Sequence, residues 1–298
     1  MHTLSGQRTG DDAVEVDERL RARVHGMWAA VAPSWGEHAS YVDARGAGVT
    51  ARMLELAAPA AGERVLELAC GPAGVGLAAA GLVGPTGEVV VTDIAAGMTE
   101  IAAARAAALG LQNVRARVRD LEQIDEPDGS FDVVLCREGL MFAVDPARAS
   151  REIARVLRPG GRVAIAVWGA RARNPWLGVV FDAASAQLGK PLPPPGVPNP
   201  FSLDDAGRLA EALRAGGLDD VAVSELPTPL RAASFEEWWR RTSGLAGPLT
   251  AVLESLPEAA LEGLVTRLRA AVSPYETSDG LELPGVTLIA SARRPDTA

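Results

Sequence analysis

Three carboxylates, Glu67, Asp93 and Asp120, stand at near-equal spacing in this 298-residue chain, each tied to the end of a short apolar run. Glu67 lies inside "RVLELAC", Asp93 closes "GEVVVTD", and Asp120 follows "VRARV" in "RDLEQI". The first run leads into the glycine-bearing turn "ACGPAGVG", whose Gly71 and Gly74 let backbone approach a ligand closely. A helix starting there would offer free N–H groups at its positive end. The spelling Ala69-x-Gly71-x-x-Gly74, with an acid about 20 positions on, nearly fits a dinucleotide fold as well. The turn alone leaves the nucleotide open.

Glu67 separates the two ligand classes, because a dinucleotide fold usually has an apolar residue at that strand position. A partly buried carboxylate needs a compensating cation or hydrogen bonds, so it suits a ligand with an ammonium group. Asp93 is placed to take both hydroxyls of a ribose. Asp120 can accept from the exocyclic amine of adenine while the Leu121 backbone N–H meets the ring. A cationic amino acid, a ribose and an adenine along three consecutive strand ends describe S-adenosylmethionine.

These residues need a parallel sheet to align them. Short β-rich runs alternate with Ala-rich helical stretches from residue 62 to 168, the rhythm of a sheet covered by helices on both faces. Candidate strands are 64–69, 88–92, 114–118, 131–136, 162–167, 221–225 and 286–291. Residues 1–58 read as an N-terminal helical cap and 59–298 as the main domain, with pocket-forming insertions at about 169–218 and 226–284. The first insertion contains the irregular "KPLPPPGVPNPF"; the second, which includes "SFEEWWRRTSGLAGPL", reads as helical.

The blocks "VLELACGPAG", "VVVTDIAAGM", "RDLEQI", "DGSFDVVLCREGLMF" and "EIARVLRPGGRVAIAVW" occur in that order. On these residues the chain resembles class I S-adenosylmethionine-dependent methyltransferases of the small-molecule type, similar to the ubiquinone and menaquinone biosynthesis enzymes. The resemblance covers about residues 28 to 168. It implies an α/β, Rossmann-like seven-stranded sheet of order 3-2-1-4-5-7-6, last strand antiparallel, with helical cap insertions. It also implies cofactor contacts from Glu67, Gly71, Asp93, Ile94, Met98, Asp120, Leu121 and Arg137. In the family the turn usually has glycine where this chain has Ala69 and Ala73.

Chemistry in open α/β sheets lies beyond the carboxyl ends of the strands, which here brings forward "CREGLMF" after the fourth strand. Glu138 is the candidate to remove an acceptor proton or to stabilise positive charge there. His38 is a second candidate, as a group titrating near neutral pH. Trp35, Tyr41, Met141, Trp168, Trp176 and Trp239 are candidates to line the acceptor pocket, and their character favours an apolar acceptor. The expected function is methyl transfer to O, N or C of a small, largely apolar metabolite: quinone-like, phenolic, polyketide-like or prenyl. A methyltransferase fold repurposed for non-methylating chemistry and a non-catalytic cofactor-sensing protein are the alternatives, with a nicotinamide oxidoreductase behind them.

Composition narrows the partners. With 29 basic and 38 acidic residues the net charge is −9, which opposes a nucleic-acid role. No run approaches the roughly 20 apolar residues of a membrane helix, so membrane insertion is not expected. The polar, acidic N-terminus lacks a signal or transit pattern, and a cytoplasmic location follows as the expectation. The three histidines do not cluster with Cys70 and Cys136 at metal-ligand spacing, so neither a metal nor a disulfide is expected. A small-molecule acceptor is the expected partner, with a homodimer left open.

Overall fold

Seven of the apolar runs assemble into one twisted sheet in the computed structural model, which describes residues 10–296. Residues 1–9, the first part of the expected cap and the location of His2, lie outside the described residues. The chain begins with helices α1 (Gly10–Glu37) and α2 (Ala39–Ala57). The βαβ block follows as β1 (Arg64–Glu67), α3 (Gly74–Val83), β2 (Glu88–Asp93), α4 (Ala96–Ala108), β3 (Val114–Val118), β4 (Phe131–Arg137), α5 (Pro146–Val156) and β5 (Leu157–Trp168). Then come α6 (Pro175–Leu188), α7 (Ala206–Ala215), β6 (Asp219–Pro227), β7 (Leu230–Ala232), α8 (Phe235–Leu245), α9 (Gly247–Glu254), α10 (Glu258–Val272), β8 (Glu276–Thr277), β9 (Gly280–Leu283) and β10 (Val286–Arg293).

The large sheet runs β3-β2-β1-β4-β5-β10-β6. The first five strands pair in parallel, while β10 is antiparallel to both β5 and β6. β10 is the seventh strand of this sheet, so the order and the antiparallel last strand expected from the resemblance are observed. Central strands buried on both faces read as continuous apolar runs, as "VVLC" of β4 does. The α5 boundary is set locally: Asp145 caps it by accepting from the Arg148 N–H at 2.9 Å, and Pro146 opens the first turn.

The second insertion departs from the expectation. It is helical over α8 to α10, but it also contributes β7, β9 and β8, which pair antiparallel as a separate small sheet. Strands of two to four residues are too short to show a period of two, so the sequence pattern hides them. α1 packs against α4 on one side and against α8 and α9 on the other, bridging the sheet and this insertion. Among the described residues no helix is long and apolar enough to cross a membrane.

Candidate functional site

The turn after β1 carries the local strain of the site. Ala69, Gly71 and Ala73 all have left-handed backbone, with φ of 49°, 50° and 63°. Ala69 and Ala73 thus adopt the conformation that glycine takes more cheaply. Gly74 is needed for a different reason: a Cβ there would run into the Asp43 carboxylate of α2. Asp43 is itself ion-paired to Arg105 of α4, which also donates to the Pro72 carbonyl. The displaced glycine therefore makes room for a tether from α2 and α4 to the turn.

Around this turn the structure gathers Glu67, Gly71, Asp93, Ile94, Met98, Asp120, Leu121 and Arg137 on the wall of one cavity of about 890 Å³. Glu67 is 2% exposed, and its Oε2 accepts from the Gly76 N–H at 2.8 Å. Burial pushes its pKa up to about 8, against the opposing pull of the Arg137 guanidinium. Arg137 donates to Thr50 Oγ1 at 2.8 Å and lies 4.0 Å from Asp43. Asp93 accepts from the Gly71 N–H at 3.0 Å through Oδ2 and from the Ala95 N–H at 2.9 Å through Oδ1. Each of its oxygens keeps a lone pair for a ligand hydroxyl. Burial raises its pKa, and those backbone donors lower it. Asp120 Oδ1 accepts from the Glu122 N–H at 2.8 Å, which fixes the loop after β3.

These donors and acceptors fit S-adenosylmethionine. A buried carboxylate held protonated by desolvation is a site that a ligand ammonium would complete, and Asp93 has capacity for a diol.

α1 roofs the cavity with Arg21, Val24, Trp28 and Trp35. The Trp35 ring lies 3.4 Å from where a Cβ on Gly71 would sit, and its Nε1–H donates to the Leu245 carbonyl at 3.0 Å. Arg21 is paired to the buried Glu122 at 2.7 Å. Sequence reasoning missed this pair, because only tertiary structure brings α1 over the β3 loop.

A second cavity of about 870 Å³ adjoins the first and shares Trp28, Trp35, Arg137, Glu138 and Phe142 with it. Tyr41, Met141, Trp168 and Trp176 line it, as does Trp35. Trp168 and Trp176 meet edge-to-face at 5.0 Å. Fully buried Asn174 orients the latter, accepting from its Nε1–H at 3.1 Å. Arg45 and Arg241, which the sequence reading did not single out, also enter this wall. Tyr41, Arg45 and Val49 follow one another at helical spacing on α2, so once Tyr41 is placed on the wall the i+4 rule would have found Arg45.

Glu138 stands at the border of the two cavities, with φ of 61° and its backbone N–H bonded to the Ala166 carbonyl at 2.7 Å. A non-glycine residue held in this conformation is strained, and here the strain turns a carboxylate toward the cavities. Among the described residues that carboxylate makes no hydrogen bond. Burial raises its pKa, opposed first by Arg45 and then by Arg137.

Two sequence candidates lie elsewhere. His38 sits at the junction of α1 and α2, the residue before the first turn of α2, and lines neither cavity. Trp239 packs beside Trp238 at 6.3 Å on the rim of the hydrophobic core and lines neither cavity, its neighbour taking the inward face of α8. Cys70 and Cys136 are both buried free thiols.

Residues 65–161 match the family model of a methyltransferase domain. The ubiquinone/menaquinone biosynthesis C-methyltransferase of Azotobacter vinelandii is 35% identical over 102 residues, 34% of this chain and 39% of that protein. The matched stretch spans less than half the length of the curated relatives. Among solved structures, the YcgJ protein of Bacillus subtilis shares the fold over 83% of this chain and 97% of its own, with a TM-score of 0.57 at 20% identity. Phosphoethanolamine N-methyltransferase 2 of Haemonchus contortus, solved with S-adenosyl-L-methionine, does so over 83% of this chain and 52% of its own, with a TM-score of 0.52 at 19% identity.

Proposed function

We propose that the chain is a class I S-adenosylmethionine-dependent methyltransferase similar to the ubiquinone and menaquinone C-methyltransferases, and that it methylates a small, largely apolar metabolite at O, N or C. The observation that carries this reading is the contact between the two cavities. One is edged by the three strand-end acids, the other walled by indoles, and they meet at Glu138.

When bound, S-adenosylmethionine supplies an electrophilic methyl group. Glu67 and Arg137 would hold its amino-acid end, Asp93 the ribose and Asp120 with Leu121 the adenine, while Met98 and Ile94 would close the apolar side. Trp28, Trp35 and Phe142 exclude water at the junction, and orientation plus dehydration supply much of the acceleration of an in-line transfer. Glu138 takes the acceptor's proton at its carboxylate oxygen, or faces the positive charge developing there. The indole-rich second cavity suits quinone-like, phenolic, polyketide-like or prenyl acceptors, and the Azotobacter relative's name is compatible with the first of these. A small-molecule acceptor and a cytoplasmic location complete the reading.

Calorimetric titration with S-adenosylmethionine and S-adenosylhomocysteine, with NAD as control, tests it. Binding of the two sulfur compounds that is lost in Asp93→Ala, followed by S-adenosylhomocysteine release with an acceptor panel, is the expected result. Binding of NAD instead would overturn it, and acceptor consumed without S-adenosylhomocysteine would mean non-methylating chemistry.

A further inference from the structure

Arg45 of α2 is a cation set between two indoles, its guanidinium 4.1 Å from the Trp176 ring and 4.6 Å from the Trp168 ring. Its Nε and Nη2 are buried and have no hydrogen-bond partner. Those two N–H groups form the side-on edge of the guanidinium plane, the edge that takes both oxygens of a carboxylate at once. Among the described residues Arg45 makes no ion pair.

The other cations on this wall are engaged. Arg241 is paired to Glu237 at 2.7 Å and lies over Tyr41, and Arg137 is held by Thr50 and Asp43. Glu138 faces Arg45 electrostatically but stays beyond ion-pair distance, at the border with the first cavity. A buried cation with unmet donors in an apolar cavity is completed by an anion brought in from outside.

We propose that the acceptor carries a carboxylate, and that the side-on edge of Arg45 holds it with the hydrocarbon body lying along Trp168 and Trp176. The proposal rests on the reading of the second cavity as the acceptor site. It selects aromatic or aliphatic acids over neutral quinones and prenyl compounds, because a neutral acceptor would leave the Arg45 donors unmet. Arg45 and Glu138 line the same cavity, so an acid held at Arg45 shares its wall with the border where the two cavities meet.

The test is calorimetric titration of the full chain with cinnamate and decanoate, each against its neutral amide. It is run on the wild type, Arg45→Met and Arg45→Lys, with a parallel titration of S-adenosylhomocysteine. The expected result is at least one acid binding about 10-fold more tightly than its amide, a preference lost in Arg45→Met and partly kept in Arg45→Lys. S-adenosylhomocysteine affinity should be the same in all three proteins. Equal affinity for acid and amide in the wild type, no binding of either acid at millimolar concentration, or a preference that survives in Arg45→Met would overturn the proposal. Should Arg45→Met fail to fold, the wild-type comparison of acid with amide decides alone. Failure to bind S-adenosylhomocysteine would sink the methyltransferase reading and leave the acid preference to be read on its own.

Discussion

The Gly76 N–H donates to Glu67 Oε2 at 2.8 Å, so the carboxylate of β1 is pinned beneath the first turn of α3. A Cβ on Gly76 would collide with that same oxygen and with Val91 of β2. Strand, helix and acid thus form one closely packed unit.

That confinement has a pH signature. Glu67 has a pKa of about 8 in the folded chain against 4.5 for the ordinary group, so the native state binds the extra proton between those values. Stability is fully present below the lower value and falls as pH rises through the upper one, by up to about 1.4 kcal/mol per pH unit. Denaturant titrations of the ligand-free protein across that window should show this slope, and Glu67→Gln should flatten it. A wild type whose stability is level across the window would show that Glu67 is ionised when buried.

Cofactor binding should expel the same proton. An ammonium group beside Glu67 favours the carboxylate, so at neutral pH binding of S-adenosylhomocysteine should release close to one proton. Calorimetry in buffers of different ionisation enthalpy reads this directly, and the dependence on buffer should vanish in Glu67→Gln. Buffer-independent heat in the wild type would show that binding leaves the charge state of Glu67 unchanged.

Gly74→Ala should damage the turn from outside it. The new methyl meets the Asp43 carboxylate, which Arg105 holds in place, so the clash cannot be relieved by rotating a free side chain. Overpacking of this kind costs about 1–3 kcal/mol. A lowered denaturation midpoint together with weaker S-adenosylhomocysteine binding is expected, whereas wild-type values for both would show that the Asp43 tether yields freely.

The cofactor cavity was legible in the sequence because its residues are fixed by strand ends. Once "VLELAC", "VVVTD" and "VRARVRD" are read as parallel strands, Glu67, Asp93 and Asp120 must emerge along one edge. The second cavity was only partly legible, because helices and insertions build it and the direction of a helix face is set by tertiary packing. Trp238 and Trp239 are adjacent, and nothing local says which turns inward. Nothing in residue type singles out Arg45 among the arginines, and only the first turn of α6 brings Trp176 beside it. His38 looked reactive by type, yet at the junction of α1 and α2 it lines neither cavity.

Asn174 is the joint that brings Trp176 into position. Its Nδ2 donates to the carbonyls of Gly169 and Val286 at 3.0 Å each, and its Oδ1 accepts from the Val286 N–H and the Trp176 indole at 3.1 Å each. Asn174→Ala strands these buried groups at the ends of β5 and β10 and should destabilise the chain by about 3 kcal/mol. Asn174→Asp should be no better, because an ionised carboxylate cannot donate to the two carbonyls. Urea denaturation with an unchanged slope and a lower midpoint is the expected outcome; a loss under about 0.5 kcal/mol would mean water substitutes for the amide.

Glu138 is where a chemical role and a binding role separate. Its carboxylate faces both cavities without a hydrogen bond among the described residues, and burial holds its pKa above the ordinary carboxylate range. A base acts in its deprotonated form, so turnover should rise with pH along an acid limb lying above that range. Glu138→Gln keeps the side-chain shape and its backbone bond to Ala166, and should leave S-adenosylhomocysteine affinity intact. It should lower kcat by about 100-fold and erase the acid limb. A loss of kcat with the limb retained would assign the titration to another group and leave Glu138 as an orienting residue. Unchanged kcat would make orientation and water exclusion by the indole wall sufficient for transfer.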